Sequence, residues 1–189
     1  IWDYDTPAPP VLLDITVEGR RIPAVAQVTK QGHTYVFDRV SGAPVWPIIE
    51  RPVPQSDVPG EVTSPTQPIP TLPEPFERQG VTPDDLNDLT PAIRAEALRI
   101  ASRYRFGPLF NPPSVVTPTN LGTLQVPGSQ GGANWQGAVA DPETGLLYVS
   151  STSTITYMGV VNEPERSNLR YILAGSRITA QIRHRHQEA

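Results

Sequence analysis

The chain has 189 residues, a formal net charge of -4 and no cysteine. Its charged residues are dispersed and form no basic stripe, which argues against nucleic acid as a partner. The lack of cysteine excludes a disulfide framework and a cysteine-ligated metal site. No run of about 18 apolar residues is present that could span a bilayer. We expect any signal or membrane anchor to lie upstream of Ile1.

Four strand-like runs open the chain. Each is rich in β-branched or aromatic residues and is bounded by turn residues; the runs are Val11 to Val17, Ile22 to Thr29, His33 to Asp38 and Ala43 to Trp46. The short turns predict a meander, in which alternate turns emerge at the same edge of the sheet. The segment that enters the first strand should therefore lie beside the second turn.

Those two places carry two acids and a lysine. Asp3 and Asp5 stand at i and i+2 of an extended segment and so point the same way, which suits a hard cation such as Ca²⁺ with its about 6 to 8 oxygen ligands. Lys30, the only lysine of the chain, lies in the second turn. Spacing and position alone favour a solvated turn for the acids and a solvated surface charge for the lysine.

A short pattern occurs twice. The segment from Val36 to Trp46 fits VxDxx[ST]GxxxW, in which aspartate and glycine form a hairpin turn and tryptophan buries a large flat surface. A partial copy from Ala140 to Val149 keeps the turn but has Val149 where tryptophan would fall. The two copies suggest structural repeats.

The segment from Pro44 to Pro127 holds 17 of the 23 prolines and should not be sheet interior, because proline cannot donate to a ladder. Inside it, Thr82 and Thr90 are each followed by proline, as at helix N-termini. The second helix carries an apolar stripe that we expect to serve packing. Its members are Ile93, Ala97 and Ile100, with Leu98 beside them.

A glycine-rich loop, GGANWQG, runs from Gly131 to Gly137. Glycines let a backbone approach a planar ligand closely, and the amide of Asn134 beside the indole of Trp135 can supply a hydrogen bond and a flat face. Spacing alone favours a simple loop before a strand, with Trp135 as a packing residue. His33 lies in a strand-like run and is expected to be a core or edge histidine.

The chain resembles the membrane-associated quinoprotein dehydrogenases of the glucose, polyol and quinate branch, which use pyrroloquinoline quinone (PQQ). The likeness is carried by WDYDTPAPPVLLDI and PAVAQVTKQGHTYVFDRVSGAPVWP, followed in order by PVPQ, SPTQP, FxPPS and GGANWQG, and it covers about residues 1–171. It implies an all-β chain that is part of an eight-bladed β-propeller. Since a blade takes roughly 40 to 50 residues, two to three blades are expected here.

The resemblance also implies a division of the chain. Residues 1–50 would form a blade with active-site residues, and residues 51–120 a long Pro-rich, partly helical insertion with short helices. Residues 121–171 would belong to the following blade. Residues 172–189 form a divergent tail, in which alternating Arg and His around His184 and His186 favour a frayed terminus over a metal-binding or acid-binding tract.

Site roles follow from the resemblance too. Asp3 matches the catalytic aspartate, a general base that is also a metal ligand, and Asp5 is a possible extra ligand for Ca²⁺ or Mg²⁺. Lys30 matches a catalytic lysine that binds the quinone oxygens. Asn134 and Trp135 are expected in the wall of the PQQ site.

We therefore predict a fragment of a periplasmic quinoprotein dehydrogenase, attached to the inner membrane through a segment outside this chain. It would oxidise an alcohol group of a sugar, polyol or cyclic hydroxy acid and pass electrons to ubiquinone or a cytochrome. The 189 residues alone are expected to be inactive. The alternatives are a non-catalytic propeller scaffold, a carbohydrate-binding module or an inactive gene fragment.

Overall fold

The computed structural model describes residues 2–174, so the tail with His184 and His186 lies outside the described residues. Short strands dominate, and in residues 2–174 they are accompanied by one α-helix, α1 (Pro91–Ala101), and one 3-10 turn, Pro83–Asp85. In chain order the strands are β1 (Val11–Val17), β2 (Arg20–Val28), β3 (Thr34–Asp38), β4 (Ile48–Pro52), β5 (Thr66–Pro70), β6 (Gly80–Val81), β7 (Gly107–Pro108), β8 (Ser114–Val115), β9 (Thr123–Gln125), β10 (Ala138–Ala140), β11 (Leu147–Val149), β12 (Thr156–Val161) and β13 (Ile172–Leu173).

Strands β1, β2 and β3 form an antiparallel meander. Its middle strand buries small residues, because Ala24 and Ala26 of β2 pack with Val36 of β3. Trp46 packs against this cluster, as the tryptophan of the repeated pattern was expected to do. Leu147 of β11 packs on it as well, which joins the meander to the β10–β11 hairpin.

The predicted fourth strand, Ala43 to Trp46, is wrong as a strand. It meets β3 through one isolated bridge, in which Phe37 lies opposite Pro44. Pro44 has no N–H to donate and Pro47 follows two residues after Val45, so the ladder cannot be extended. The chain instead leaves the meander and enters β4.

The two copies of the repeated pattern fold into the same turn. The N–H of Asp38 donates to the carbonyl five residues on and the N–H of Gly42 donates to Asp38 O, both at 2.8 Å. Asp141 and Gly145 make the same two bonds, both at 2.9 Å. Both glycines have positive φ, 76° and 71°. The predicted repeat is therefore confirmed at the level of hydrogen-bonded geometry.

The Pro-rich segment contains a two-stranded ribbon, β4 with β5. At the two ends of the ribbon, the N–H of Val53 donates to Pro65 O and the N–H of Thr71 donates to Pro47 O. Because N–H groups alternate in direction along a strand, the odd-numbered residues of the ribbon point their N–H groups toward the partner strand. Pro52, Pro68 and Pro70 occupy the alternate positions, where an N–H would point outward. The ribbon therefore tolerates three prolines without losing a ladder hydrogen bond.

Helix α1 begins as predicted at Thr90, whose hydroxyl accepts from the N–H of Ile93 at 3.2 Å. The prediction that its apolar stripe is packed is wrong, because Ile93, Leu98 and Ile100 are each 41% exposed. Polar contacts hold the helix instead. Arg94 Nη1 donates to Pro83 O at 2.7 Å and to Leu86 O at 3.0 Å.

Strand β12 organises the second half of the chain. It pairs with β13 and β9 in antiparallel fashion and with β8 in parallel fashion. A buried cluster of Val81, Leu124 and Val126 underlies this region and joins β6 to β9. Among residues 2–174, no helix is long and apolar enough to cross a membrane.

The repeated turn makes a stability prediction. Gly42→Ala should lower the free energy of unfolding by about 1 kcal/mol, because alanine is strained at positive φ and the position has open space around it. Gly42→Asn should cost less, since asparagine enters the left-handed region more readily. Chemical denaturation of both variants tests this, and equal losses would contradict it.

Candidate functional site

The segment that precedes β1 has two different sides. Trp2 and Tyr4 pack edge-on against Phe110, with ring centroids 5.3 Å and 5.6 Å apart. The Tyr4 hydroxyl donates to Pro127 O at 2.5 Å. Burial raises the pKa of Tyr4 well above its ordinary value, which keeps the hydroxyl a donor. The alternate residues, Asp3 and Asp5, carry their carboxylates toward Lys30.

Lys30 stands in a tight turn between β2 and β3. The N–H of Gly32 donates to Thr29 O at 3.1 Å, and the Thr29 hydroxyl donates to His33 O at 2.9 Å. Gly32 has a φ of 81°, which this turn requires. The Lys30 side chain is only 9% exposed. A turn lysine that is usually solvated is thus buried here.

The buried ammonium contacts both acids. Lys30 Nζ lies 3.0 Å from Asp3 Oδ1 and 2.6 Å from Asp5 Oδ1, and both aspartate side chains are 60% exposed. The meander argument predicted this meeting of the strand entry with the second turn. The hydrogen bond from Lys30 lowers the pKa of Asp5 below its ordinary value of 3.8. Burial by itself would lower the pKa of Lys30, but the hydrogen bonds from its ammonium to Asp5 and Asp3, with their charges, raise that pKa above 10.5.

The glycine-rich loop covers the aliphatic stem of Lys30. A Cβ built on Gly131 would lie 2.5 Å from Lys30 Cγ, and the φ of Gly131 is +79°. The N–H of Gly132 donates to Lys30 O at 2.9 Å. Beneath the loop, Ala133 packs with Val28 from the end of β2. Glycine is therefore needed here for close approach to a side chain of the site.

Asn134 and Trp135 lie in the same loop but are placed differently from the glycines. Asn134 Nδ2 donates to Gln130 O at 2.8 Å, while its Oδ1 accepts from the N–H of Trp135 at 2.9 Å. The Asn134 amide is thus bonded within its own loop. The Trp135 side chain is 79% exposed and presents an open indole face.

Sequence reasoning missed the contacts by which Phe76 and Glu77, in the Pro-rich segment, support the Lys30 turn. The N–H of Phe76 donates to Gly32 O at 2.9 Å, and the carboxylate of Glu77 accepts from the hydroxyls of Ser151 and Ser153 at 2.9 Å and 2.8 Å. A Cβ on Gly32 would lie 2.8 Å from Glu77 Cβ. No periodic signal marks Glu77. Tyr4 could have been found, since it alternates with the acids in Trp-Asp-Tyr-Asp.

His33 follows the Lys30 turn and is buried, 2% exposed, with its ring edge-on to Tyr35 at 6.5 Å. Burial lowers its pKa. Residues 2–174 contain no group of three or more His, Cys, Asp or Glu side chains that could hold a metal ion. The expectation that His33 belongs to the core agrees with this position.

A family model described as "PQQ: Glucose/ethanol/alcohol dehydrogenase, beta-propeller domain" matches residues 1–188. This match covers nearly the whole chain. The chain belongs to the PQQ-dependent dehydrogenase β-propeller family. The predicted resemblance and the prediction of an all-β chain that is part of a β-propeller are confirmed. The match also continues past Tyr171, where the sequence comparison had ended the resemblance.

Curated relatives of this chain are dehydrogenases. The chain is 32% identical over 171 residues to the glycerol dehydrogenase large subunit of Gluconobacter oxydans, a match that covers 89% of this chain and 22% of that protein. It is 35% identical over 143 residues to the quinoprotein glucose dehydrogenase of Escherichia coli, covering 75% and 17%. Quinate/shikimate dehydrogenase (quinone) of Acinetobacter baylyi is 34% identical over 151 residues, covering 79% and 18%.

The chain therefore spans about a fifth of the length of these relatives. Among solved structures, it is similar to the quinohemoprotein alcohol dehydrogenase from Comamonas testosteroni, with 21% identity and a TM-score of 0.42. That match covers 84% of this chain and 17% of the other.

The close contact between Gly131 and the Lys30 side chain predicts that a methyl group added at residue 131 lowers stability. Gly131→Ala should destabilise the chain by about 1 to 3 kcal/mol more than Gly145→Ala, because both glycines have positive φ but only the first Cβ would overlap a buried side chain. The nearest atom to a Cβ on Gly145 is 3.4 Å away. Chemical denaturation measures the difference, and equal losses would show that the loop does not press on Lys30.

The lowered pKa of Asp5 predicts a pH-dependent stability. The Asp5–Lys30 contact stabilises the fold fully above pH 3.8, the ordinary carboxyl pKa, and this stabilisation is lost as the pH falls through the lower folded pKa. Asp5→Asn should therefore unfold at a lower temperature than the parent chain near neutral pH, and the difference should shrink in acid. Thermal unfolding over a pH series tests this; a difference that does not change with pH would contradict it.

Proposed function

We propose that this chain supplies the catalytic segment of a PQQ-dependent dehydrogenase that oxidises an alcohol group of a sugar, polyol or cyclic hydroxy acid. The observation that carries the proposal is the contact of a buried lysine with Asp3 at the edge of a meander. A carboxylate beside a fixed ammonium places a proton acceptor next to a positive group that can donate hydrogen bonds to oxygen atoms of a ligand.

The donors present fit a quinone ligand. An ammonium has three N–H donors, and Asp3 and Asp5 account for two of them, which leaves one for an oxygen of a ligand. The open indole of Trp135 offers a flat face for a planar molecule. We propose that Lys30 and Trp135, with Asn134 holding the loop, contact PQQ.

The oxygen donors fit a hard cation in part. Asp3 and Asp5 supply carboxylate oxygens, whereas Ca²⁺ takes about 6 to 8 oxygen ligands and Mg²⁺ about six. Within residues 2–174, these acids are not joined by a third Asp, Glu, His or Cys side chain that would complete a metal site. The remaining ligands would come from parts of the protein outside this chain.

Bound PQQ supplies the acceptor for the hydride that the alcohol carbon loses. Asp3 is the general base, and its carboxylate, 60% exposed, is open to a substrate hydroxyl whose proton it would accept. Lys30 would donate a hydrogen bond to a quinone oxygen of bound PQQ, and its ammonium would stabilise negative charge at that oxygen. The rigid turn and the glycine-rich loop hold the ammonium, so little rearrangement is needed during reaction.

The setting of this chemistry is proposed from the family. Residues 1–50 and 121–171 would be successive blade regions joined by the insertion at 51–120. The complete protein would act in the periplasm at the inner membrane and pass electrons to ubiquinone or a cytochrome. The 189 residues alone would be inactive, because most of the ring and most cation ligands lie outside them.

Two substitutions in the complete protein test the proposal. Asp3→Asn should lower kcat about 10²- to 10⁴-fold, the usual contribution of a positioned base, and Lys30→Ala about 10²- to 10³-fold. Dye-linked dehydrogenase activity is measured after loading with PQQ and Ca²⁺ or Mg²⁺ over a panel of sugars, polyols and quinate. Asp14→Asn is the matched control, since Asp14 is an exposed β1 residue paired with Arg21 and Arg39.

Unchanged rates in Asp3→Asn and Lys30→Ala, in a protein that binds PQQ, would show that the site lies elsewhere. A complete protein that binds no PQQ would favour a non-catalytic scaffold.

A further inference from the structure

Lys30, Asp3 and Asp5 form an ion cluster. The proposed chemistry cannot leave both aspartates in contact with Lys30. Lys30 contacts both Asp3 and Asp5, yet the proposed function withdraws Asp3 to serve a cation and a substrate hydroxyl. A lysine with a side chain only 9% exposed cannot lose both partners cheaply, because an uncompensated buried charge is strongly destabilising. One of the two carboxylates must stay.

We propose that Asp5 is the lasting counter-ion and positioning residue of Lys30, and that Asp3 is the acid released to the metal ion and substrate. The inference rests on the proposed function for the release of Asp3. It replaces the expectation from the sequence, which the proposed function above also uses, that Asp5 is a metal ligand. In this role Asp5 acts through Lys30 and touches neither substrate nor cofactor.

Distance favours Asp5 as the acid that stays. Its Oδ1 lies 2.6 Å from Lys30 Nζ, against 3.0 Å for Asp3, although the two side chains are equally exposed. The attraction between two unit charges rises as their separation falls. Because the two aspartates are equally exposed, solvent screens both contacts to a similar extent, and the difference in their strength comes from the difference in distance.

The backbone also ties Asp5 to the lysine turn. Gln31 Nε2 donates to Tyr4 O at 2.9 Å, so the peptide that leads into Asp5 is bonded to the residue after Lys30. The hydroxyl of Tyr4 also donates to Pro127 O, which fixes Tyr4 from its side chain. Asp5 is therefore fixed to the turn from the residue before it, and its contact with Lys30 needs little further ordering.

The single lysine allows a direct measurement in the 189-residue chain. With ¹⁵N-lysine labelling, the ammonium of Lys30 gives the one lysine side-chain signal, and its hydrogen exchange reports how firmly it is bonded. Asp5→Asn should speed this exchange about tenfold and Asp3→Asn much less, as expected when the stronger partner of a buried charge is removed. Asp5→Glu should restore protection, and Asp14→Asn should leave it unchanged.

A second arm uses the complete protein and separates a counter-ion from a metal ligand. Calcium binding is measured by calorimetry in the presence of PQQ. Asp5→Asn should leave the calcium affinity nearly unchanged, whereas Asp3→Asn should lower it about tenfold or more, because loss of a direct ligand costs at least as much as loss of an outer-shell partner. Near-UV circular dichroism checks that each variant is folded.

The outcomes separate the two claims. Equal exchange in Asp3→Asn and Asp5→Asn, or faster exchange in Asp3→Asn, would overturn the counter-ion role. A loss of calcium affinity in Asp5→Asn as large as in Asp3→Asn would make Asp5 a metal ligand and also overturn it. A complete protein that binds neither calcium nor PQQ would refute the proposed function and the release of Asp3, while the exchange measurement still decides whether Asp5 holds Lys30.

Discussion

A buried ammonium is the constraint on which the rest of the site depends. Lys30 is held in a tight turn, covered by Gly131 and bonded to two carboxylates, so its charge is fixed in place before any ligand arrives. Burial of a lysine is costly without such partners. The arrangement gives the two acids a structural task in addition to any chemical one, since removing either alters how the lysine is held.

The acids can meet the lysine because aromatic residues anchor the same segment from its other side. Trp2 and Tyr4 pack on Phe110, and the Tyr4 hydroxyl donates to Pro127 O, so the far end of the Pro-rich segment from Pro44 to Pro127 holds the residues that precede β1. An extended segment sends alternate side chains in opposite directions. This one therefore half-buries Trp2 and Tyr4 and exposes Asp3 and Asp5, and the Pro-rich segment helps to shape the site.

Short-range sequence patterns predicted most of the local structure, whereas most contacts between residues distant in the sequence were missed. The turn at Asp38 and the start of α1 at Thr90 follow from local hydrogen bonds, so sequence was sufficient. The exposure of Ile93 does not follow from helical spacing, because spacing cannot show that polar contacts hold the helix. The meander predicted the meeting of Asp3 with Lys30. That Lys30 Nζ lies closer to Asp5 than to Asp3 could be seen only in the structure.

The central claim is that this ion cluster receives the quinone in the complete protein. A crystal structure of the complete protein with PQQ and Ca²⁺ tests it most directly. The account predicts that Lys30 Nζ donates to a quinone oxygen and keeps its contact with Asp5, while an Asp3 oxygen enters the cation shell. Quinone bound away from Lys30, or Asp3 still bonded to the ammonium with the cation in place, would contradict it.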